Sequence, residues 1–569
     1  MKDISLPQLS NARVNASGRR RSCRLTTTKI CFIIAVIFVI RRLFVTRTVK
    51  SIYQQPDNSY RYNWSNLVPS NPPQWKACYG IYQCSKLLVP LDYESPEGDR
   101  AAIALIKMNS TLTPGDERHK GPLLMNPGGP GSSGVNFVMK NGRKLRKILG
   151  EGYDIVGFDP RGIGYTTPGL FPFTTRAEAG AFYAQELLSA NASESAIAEL
   201  LGHAQILSQI VGARAKNVAE HMSTALVAKD MLTMVETFGN GKLSYWGFSY
   251  GTVLGATFAA MFPDKINRMV LDGVVDAEDY YSGSWTESLH DADSALMDLF
   301  HTCVRIGPLL CPLYEVNASL IKERVDKLLL RVKEHPIPFF YNVVPGVREQ
   351  YGLVDYSIVK FAMLQSLVKV QEDGWSLIHA LAGLEKGYSE AFWRLSARVI
   401  RWEDYFSDRI SCDFLEGFAG GRELGSAVAC GEADPVVGDL QSLKEYYADL
   451  AKTASFAYEW TRRISCSGWK VRAKERYTGP FVANTSFPIL FIGNTADPVT
   501  PLRNAHKMAK GFEGAVVLTQ NSSGHGSISA TSICTGDALR RYFNEGKLPK
   551  EGTVCDVESK IFPHEFSPA

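Results

Sequence analysis

"LSYWGFSYGTVLGATFAAMFP", Leu243 to Pro263, is the stretch on which the reading of this chain turns. It opens as an apolar strand pattern, continues from Thr252 with apolar residues at helical spacing, and stops at Pro263; GFSYG, Gly247–Gly251, lies at the change of period. A serine between two glycines at a strand-to-helix turn has the form of a nucleophile elbow. The turn is strained, and a side chain two positions either side of the serine would collide with neighbouring backbone. With 48 glycines in the chain the five letters alone carry little, and the competing reading of Ser249 is a small residue in a tight turn. The strand before it and the helix after it favour the elbow.

A serine hydroxyl is a poor nucleophile until a base takes its proton and a carboxylate orients that base. Of ten histidines, His525 in "SSGHGS" follows a late apolar strand inside a glycine-flanked loop, and "GNTADPVTP" sets Asp497 on the loop after another such strand. The chain order Ser249, Asp497, His525 is the α/β-hydrolase order. Oxyanion donors are expected from the N–H of Gly129, in "NPGGPGSSG" (Asn126–Gly134), and of Tyr250 directly after the serine. The same glycines also spell GxGxxG (Gly129, Gly131, Gly134), with Asp154 and Asp159 downstream, so a nucleotide-binding oxidoreductase is the distant alternative. Pro130 speaks against it, because it removes an N–H from the loop that would cradle a pyrophosphate.

Around these motifs the chain reads as a mostly parallel sheet with crossover helices. Strands are expected at 121–126, 153–159, 243–247, 268–273, 487–494 and 515–520. Residues 76–275 and 478–569 then form the core in two parts, and the largely helical stretch 276–477 between them reads as an inserted cap. Residues 51–75, rich in Asn, Pro, Ser and Tyr, read as a stalk.

The first 50 residues carry a charge of +10 out of +4 overall, leaving −6 on the rest, which excludes a polyanion-binding body and with it a nucleic-acid partner. Basic residues before the apolar run Ile30–Ile40 point to a membrane signal, either an uncleaved type II anchor with the remaining chain lumenal or extracellular, or a cleaved signal of a secreted protein. Past that run, six NxS/T sequons, at Asn63, Asn109, Asn191, Asn317, Asn484 and Asn521, fit that route. Among the cysteines, close spacing suggests Cys78 with Cys84 and Cys303 with Cys311, then Cys430 with Cys466 and Cys534 with Cys555. Cys412 is left over, Cys23 and Cys31 fall in the tail, and connectivity stays open. No CxxC pair occurs, so neither a zinc site nor a thioredoxin-like centre is expected.

"NPGGPGSSG", "YDIVGFDPRGIGYT" (Tyr153–Thr166), "GFSYGTVLGATFAAMFPDKINRMVLDGVVD" (Gly247–Asp276), "LFIGNTADPVTP" (Leu490–Pro501) and "GHG" (Gly524–Gly526) together resemble the tripeptidyl aminopeptidase and proline iminopeptidase branch of the α/β-hydrolases. The resemblance runs from about Cys78 to Cys555. It implies a serine peptidase with Ser249, Asp497 and His525 as triad, a helical cap that selects substrate, a characteristic C-terminal region from about Phe487, and no cofactor or metal. The substrate it implies is a peptide whose free amine meets carboxylates of the cap, among which Glu278, Asp279, Asp291 and Asp293 are candidates. An esterase or lactonase acting on a small ester is the main alternative on the same scaffold. Trp246 stands where many relatives have a smaller residue, either altering the pocket floor or filling core.

Overall fold

The structure is a computed structural model that describes residues 62–113, 115–239, 241–341, 350–400 and 421–562. The basic tail and its apolar run, Cys23, Cys31 and Cys412 lie outside the described residues. Among the described residues no helix is long and apolar enough to cross a membrane.

A ten-stranded sheet runs in the order β1-β2-β3-β5-β4-β6-β7-β10-β11-β12. Its first three strands, β1 (Lys76–Cys78), β2 (Tyr82–Pro90) and β3 (Arg100–Met108), pair antiparallel, and β3 joins β5 antiparallel. From there β4 (Gly121–Asn126), β5 (Tyr153–Phe158), β6 (Leu243–Phe248), β7 (Ile266–Asp272), β10 (Leu490–Ala496), β11 (Val516–Ser523) and β12 (Val554–Asp556) pair parallel. All six expected strands are present. β6 is buried along its whole length, as a central strand covered by helices on both faces must be.

Between β4 and β5 runs α1 (Gly134–Leu149), whose first turn is capped by the Ser133 hydroxyl accepting from Asn136 N–H. After β5 come α2 (Ala196–Arg214) and α3 (Thr224–Thr237), and the elbow helix α4 (Tyr250–Met261) follows β6. The long insertion after β7 holds α5 (Ala277–Ser282), α6 (Ala292–Ile306), α7 (Ala318–Glu334), α8 (Tyr356–Val368), α9 (Val370–Glu385), α10 (Glu390–Ile400), α11 (Arg422–Glu432), α12 (Leu440–Leu450) and α13 (Arg462–Gly468). It also holds an antiparallel hairpin, β8 (Ile337–Tyr341) with β9 (Gln350–Val354), which the helical reading of this stretch did not include. α14 (Leu502–Ala509) and α15 (Ile533–Glu545) complete the flanks of the sheet.

Two apolar cores result. One lies on the sheet; the other is built chiefly from α6 to α10. The insertion divides between them, because Leu424, Ala427, Cys430, Cys466 and Trp469 of α11, α13 and their surroundings join the sheet core. This inserted roof also packs on a helix that precedes β6: Ile197 and Leu200 of α2 form a small core with Leu443, Tyr447 and Ile464, and Lys470 N–H donates to Ser208 Oγ at 2.7 Å. The segment read as a stalk is partly body. Trp64 is buried, stacks on Tyr165 at 4.7 Å and donates to the Tyr79 hydroxyl, and Ser70 exchanges backbone hydrogen bonds with β2. A large aromatic surface recovers more by packing than a flexible linker gains from freedom.

The four expected disulfides are formed, Cys78–Cys84, Cys303–Cys311, Cys430–Cys466 and Cys534–Cys555, and they fit an oxidising compartment. Five of the six sequon asparagines are exposed and Asn191 is half-buried. Arg161 is buried and bidentate to Asp230 (2.6 and 2.7 Å), and two further N–H groups donate to the carbonyls of Pro90 and Leu91 at the end of β2. Replacing Arg161 by Ala strands the Asp230 carboxylate and should cost about 3–5 kcal/mol, read as a lowered urea midpoint at unchanged slope.

Candidate active site

Ser249 follows β6 in a left-handed backbone conformation, φ 56° and ψ −127°, that costs a non-glycine residue energy and persists only where neighbours enforce it. The enforcement is steric. A Cβ on Gly247 would overlap the Gly251 carbonyl oxygen, one on Gly251 would sit 2.8 Å from the Asn126 carbonyl oxygen, and one on Gly128 would lie 2.8 Å from Ser249 Cβ and 3.0 Å from Tyr250 N. The elbow and the loop after β4 therefore interlock through three missing side chains. Ser249 N–H donates to the Asp272 carbonyl at 3.0 Å, and its own carbonyl accepts from Thr252 N–H at 2.8 Å and Thr252 Oγ1 at 2.6 Å.

Asp497 and His525 meet directly. His525 Nδ1 lies 3.0 Å from both carboxylate oxygens of Asp497, which is fully buried and also accepts from the N–H groups of Val499, Thr500 and Gly526 at 2.9–3.1 Å. Thr500 Oγ1 is 3.0 Å from the same ring nitrogen. Burial disfavours the charged form of both groups, but their mutual attraction and hydrogen bond outweigh it, lowering Asp497 and raising His525 relative to their ordinary ranges. The loop carrying the histidine is held from β10 by Asn494, whose side-chain amide donates to the carbonyls of Gly524 and Gly526 (2.8 Å each), and from α8 by the Val368 carbonyl, which accepts His525 N–H at 3.0 Å.

The structure brings Ser249 to this pair through shared neighbours. Asp272 bonds the serine's backbone, and a Cβ on the adjoining Gly273 would lie 3.3 Å from His525 Cε1. No direct hydrogen bond joins the serine hydroxyl to the imidazole among the described residues, and such bonds commonly tighten only when substrate is bound. Asn494, Asp272 and Thr500 are site residues that motif reading misses.

Tyr250 directly follows the serine, and Gly129 is the neighbour of Gly128, the glycine that packs on the Ser249 turn. Gly128 N–H is taken by Asn126 Oδ1 at 2.9 Å, whereas Tyr250 is the first residue of α4 and its N–H has no intrahelical acceptor. The Tyr250 hydroxyl is 2.6 Å from Thr224 Oγ1. Thr224 in turn donates its N–H and hydroxyl to Glu432, which also accepts from Tyr280. Burial pushes the Glu432 carboxyl up to about 7 against these donors.

The GxGxxG glycines serve packing instead of a nucleotide. A Cβ on Gly134 would overlap the Phe158 carbonyl oxygen, one on Gly131 would meet Leu424 Cβ at 3.0 Å, and the amides opening α1 are already taken, Val135 N–H by Asp159 and Asn136 N–H by Ser133. Asp154 accepts Ser110 N–H at 2.7 Å. The four roof carboxylates considered for amine recognition all have local partners: Glu278 pairs with Lys507, Asp279 accepts from Thr286 and Glu287, Asp291 from Leu502 N–H, and Asp293 from Ser455. Trp246 is fully buried against Phe248 and Phe543, so it fills core.

A family model described as alpha/beta hydrolase fold matches residues 121–302, and one described as TAP-like protein matches residues 453–555. Serine protease Hip1 of Mycobacterium tuberculosis is 36% identical over 512 residues, covering 86% of this chain and 90% of the relative. Tripeptidyl aminopeptidase of Streptomyces lividans is 34% identical over 483 residues, 83% of each chain. The chain belongs to the tripeptidyl aminopeptidase branch of the α/β-hydrolases. This hydrolase is thus a member of a serine-peptidase family, and it also resembles Carboxylesterase B of Mycobacterium tuberculosis, at 26% identity over 484 residues, 83% of this chain and 86% of the relative.

Gly128→Ala tests the interlock. The added Cβ must displace the Ser249 turn, so the rate of covalent labelling by a fluorophosphonate should fall about 100-fold while the protein still unfolds cooperatively.

Proposed function

We propose that this hydrolase is an exopeptidase that releases short peptides or single amino acids from the free N-terminus of peptides, through an acyl-enzyme on Ser249. The observation that carries this reading is the His525–Asp497 pair at 3.0 Å, mounted on the same Asp272–Gly273 corner that fixes the strained serine.

In the first half-reaction Ser249 Oγ attacks the scissile carbonyl carbon while His525 takes the hydroxyl proton. Collapse of the tetrahedral adduct breaks the C–N bond, and the same proton leaves on the amine. In the second half-reaction water attacks the ester carbonyl, again giving its proton to His525, which returns it to Ser249 Oγ. Asp497 holds the imidazole tautomer and stabilises the imidazolium, and the N–H groups of Gly129 and Tyr250 face the oxyanion. Every bond made and broken is covered by these side chains and water, so the mechanism calls for no cofactor or metal. The roof from 276 to 477, with the contribution of α2, bounds the substrate.

An esterase reading is favoured by one observation, the similarity to Carboxylesterase B. The scaffold chemistry is the same for ester and amide. The basic tail with its apolar run, the disulfides and the exposed sequons support a secreted or type II membrane glycoprotein with the hydrolase domain outside the cytosol.

Ser249→Ala should lower turnover by about 10⁴-fold or more with folding intact, measured against labelling and thermal unfolding. On protein lacking residues 1–50, peptide amides with a free N-terminus should be cleaved at least about tenfold faster than their N-acetylated counterparts, at matched kcat/KM conditions. Faster turnover of simple esters with no preference for a free amine would select the esterase instead.

A further inference from the structure

Asp272 fixes the nucleophile turn and the histidine loop to each other. It closes β7 in register with Phe248, the residue before the serine, and its carbonyl accepts Ser249 N–H at 3.0 Å. Its side chain is completely buried and accepts from Ser527 N–H at 2.7 Å, Ser527 Oγ at 2.5 Å and Trp246 Nε1 at 3.2 Å. One residue earlier, Gly526 N–H donates to Asp497. The two amides that follow His525 are thus pinned by two carboxylates from the ends of two different strands. His525 Nδ1 belongs to Asp497, so Asp272 acts on the imidazole only through Ser527 and through its charge.

We propose that Asp272 is a positioning residue of this active site, kept ionised by Trp246 and Ser527, that sets the seat of His525 relative to Ser249 and places a second negative charge behind the imidazole. The proposal rests on the assignment of Ser249 and His525 given above. Its physical basis is the donor count. Three donors face the carboxyl group and the ionised form accepts from all of them, whereas a protonated or amidated group can give its own hydrogen only to the Ser527 hydroxyl and opposes the backbone and indole N–H groups. The arrangement also gives Trp246 a role beyond volume, since its single polar atom serves this carboxylate.

The titratable groups facing Asp272 are His525 from the adjoining loop and, across the imidazole, Asp497; β6 presents Trp246 and Phe248, which do not titrate. Burial raises the Asp272 carboxyl to about 6, opposed by its donors and by His525. It therefore gains a proton, and loses its charge, as pH falls through about 6. His525, which burial lowers but the charges of Asp497 and Asp272 raise above its ordinary value, also gains its proton as pH falls. Both events remove the active form, so the acid limb of kcat/KM should be steeper than one proton allows.

The experiment compares Asp272→Asn, Trp246→Phe and Ser527→Ala in the full chain, using kcat/KM against pH on a cleaved peptide and the rate of fluorophosphonate labelling. Asp272→Asn should lower kcat about 10- to 100-fold with KM within about twofold, and its acid limb should become a one-proton curve displaced to lower pH, because His525 has lost a neighbouring anion. Trp246→Phe and Ser527→Ala each delete a donor to the carboxylate and should displace the limb to higher pH. Opposite displacements support the proposal; folded variants whose limbs stay at the wild-type position, or all move the same way, overturn it. If Asp272→Asn does not fold, the other two variants decide alone, and no upward displacement in either overturns it. Labelling that persists in Ser249→Ala would instead overturn the assignment beneath, whatever the Asp272 variants do.

Discussion

The active site depends on a packing condition: three places where no side chain fits. Gly247, Gly251 and Gly128 bring backbone within van der Waals contact of the serine turn, and that contact, more than any attractive interaction, holds Ser249 at φ 56°. Strain at one residue is affordable because the surrounding strands are buried and fully paired. The loop after β4 takes part in the same interlock, so the glycine amides beside the serine are placed by the constraint that places the nucleophile.

Around this kernel the polar groups are arranged so that buried charges are answered. Asp497 and Asp272 each take backbone and side-chain donors from the histidine loop, and Glu432 takes three donors from α3 and α5 near the residue after the serine. Buried carboxylates without such donors would be destabilising. Their clustering at the C-terminal ends of β7 and β10 and along α11 shows where the fold accepts the cost of keeping negative charge out of water.

The elbow, the order of serine, aspartate and histidine, and six parallel strands were legible because each is a local pattern that a short window contains. Four cysteine pairs were legible too, by proximity in sequence. What was not legible follows from long-range register. Asp272 and Ser527 are 255 residues apart, and nothing in either neighbourhood announces that they meet. β2 carries Gln83, Ser85 and Lys86 among its apolar residues and β3 is rich in alanine, so neither presents the short apolar run closed by turn residues that marked the central strands. The hairpin β8–β9 is short and set among helices. Trp64 and Ser70 sit in a polar stretch that reads as linker until Tyr165 and β2 are seen to receive them.

The position of α11 bears on how the roof can behave. Leu424 and Gly425 rest on Gly131 of the glycine loop after β4, and the Cys430–Cys466 bond ties this helix to α13. The inserted stretch and the loop after β4 are in direct contact at that point. They are joined there by direct packing, so any displacement of α11 would be felt at Gly131.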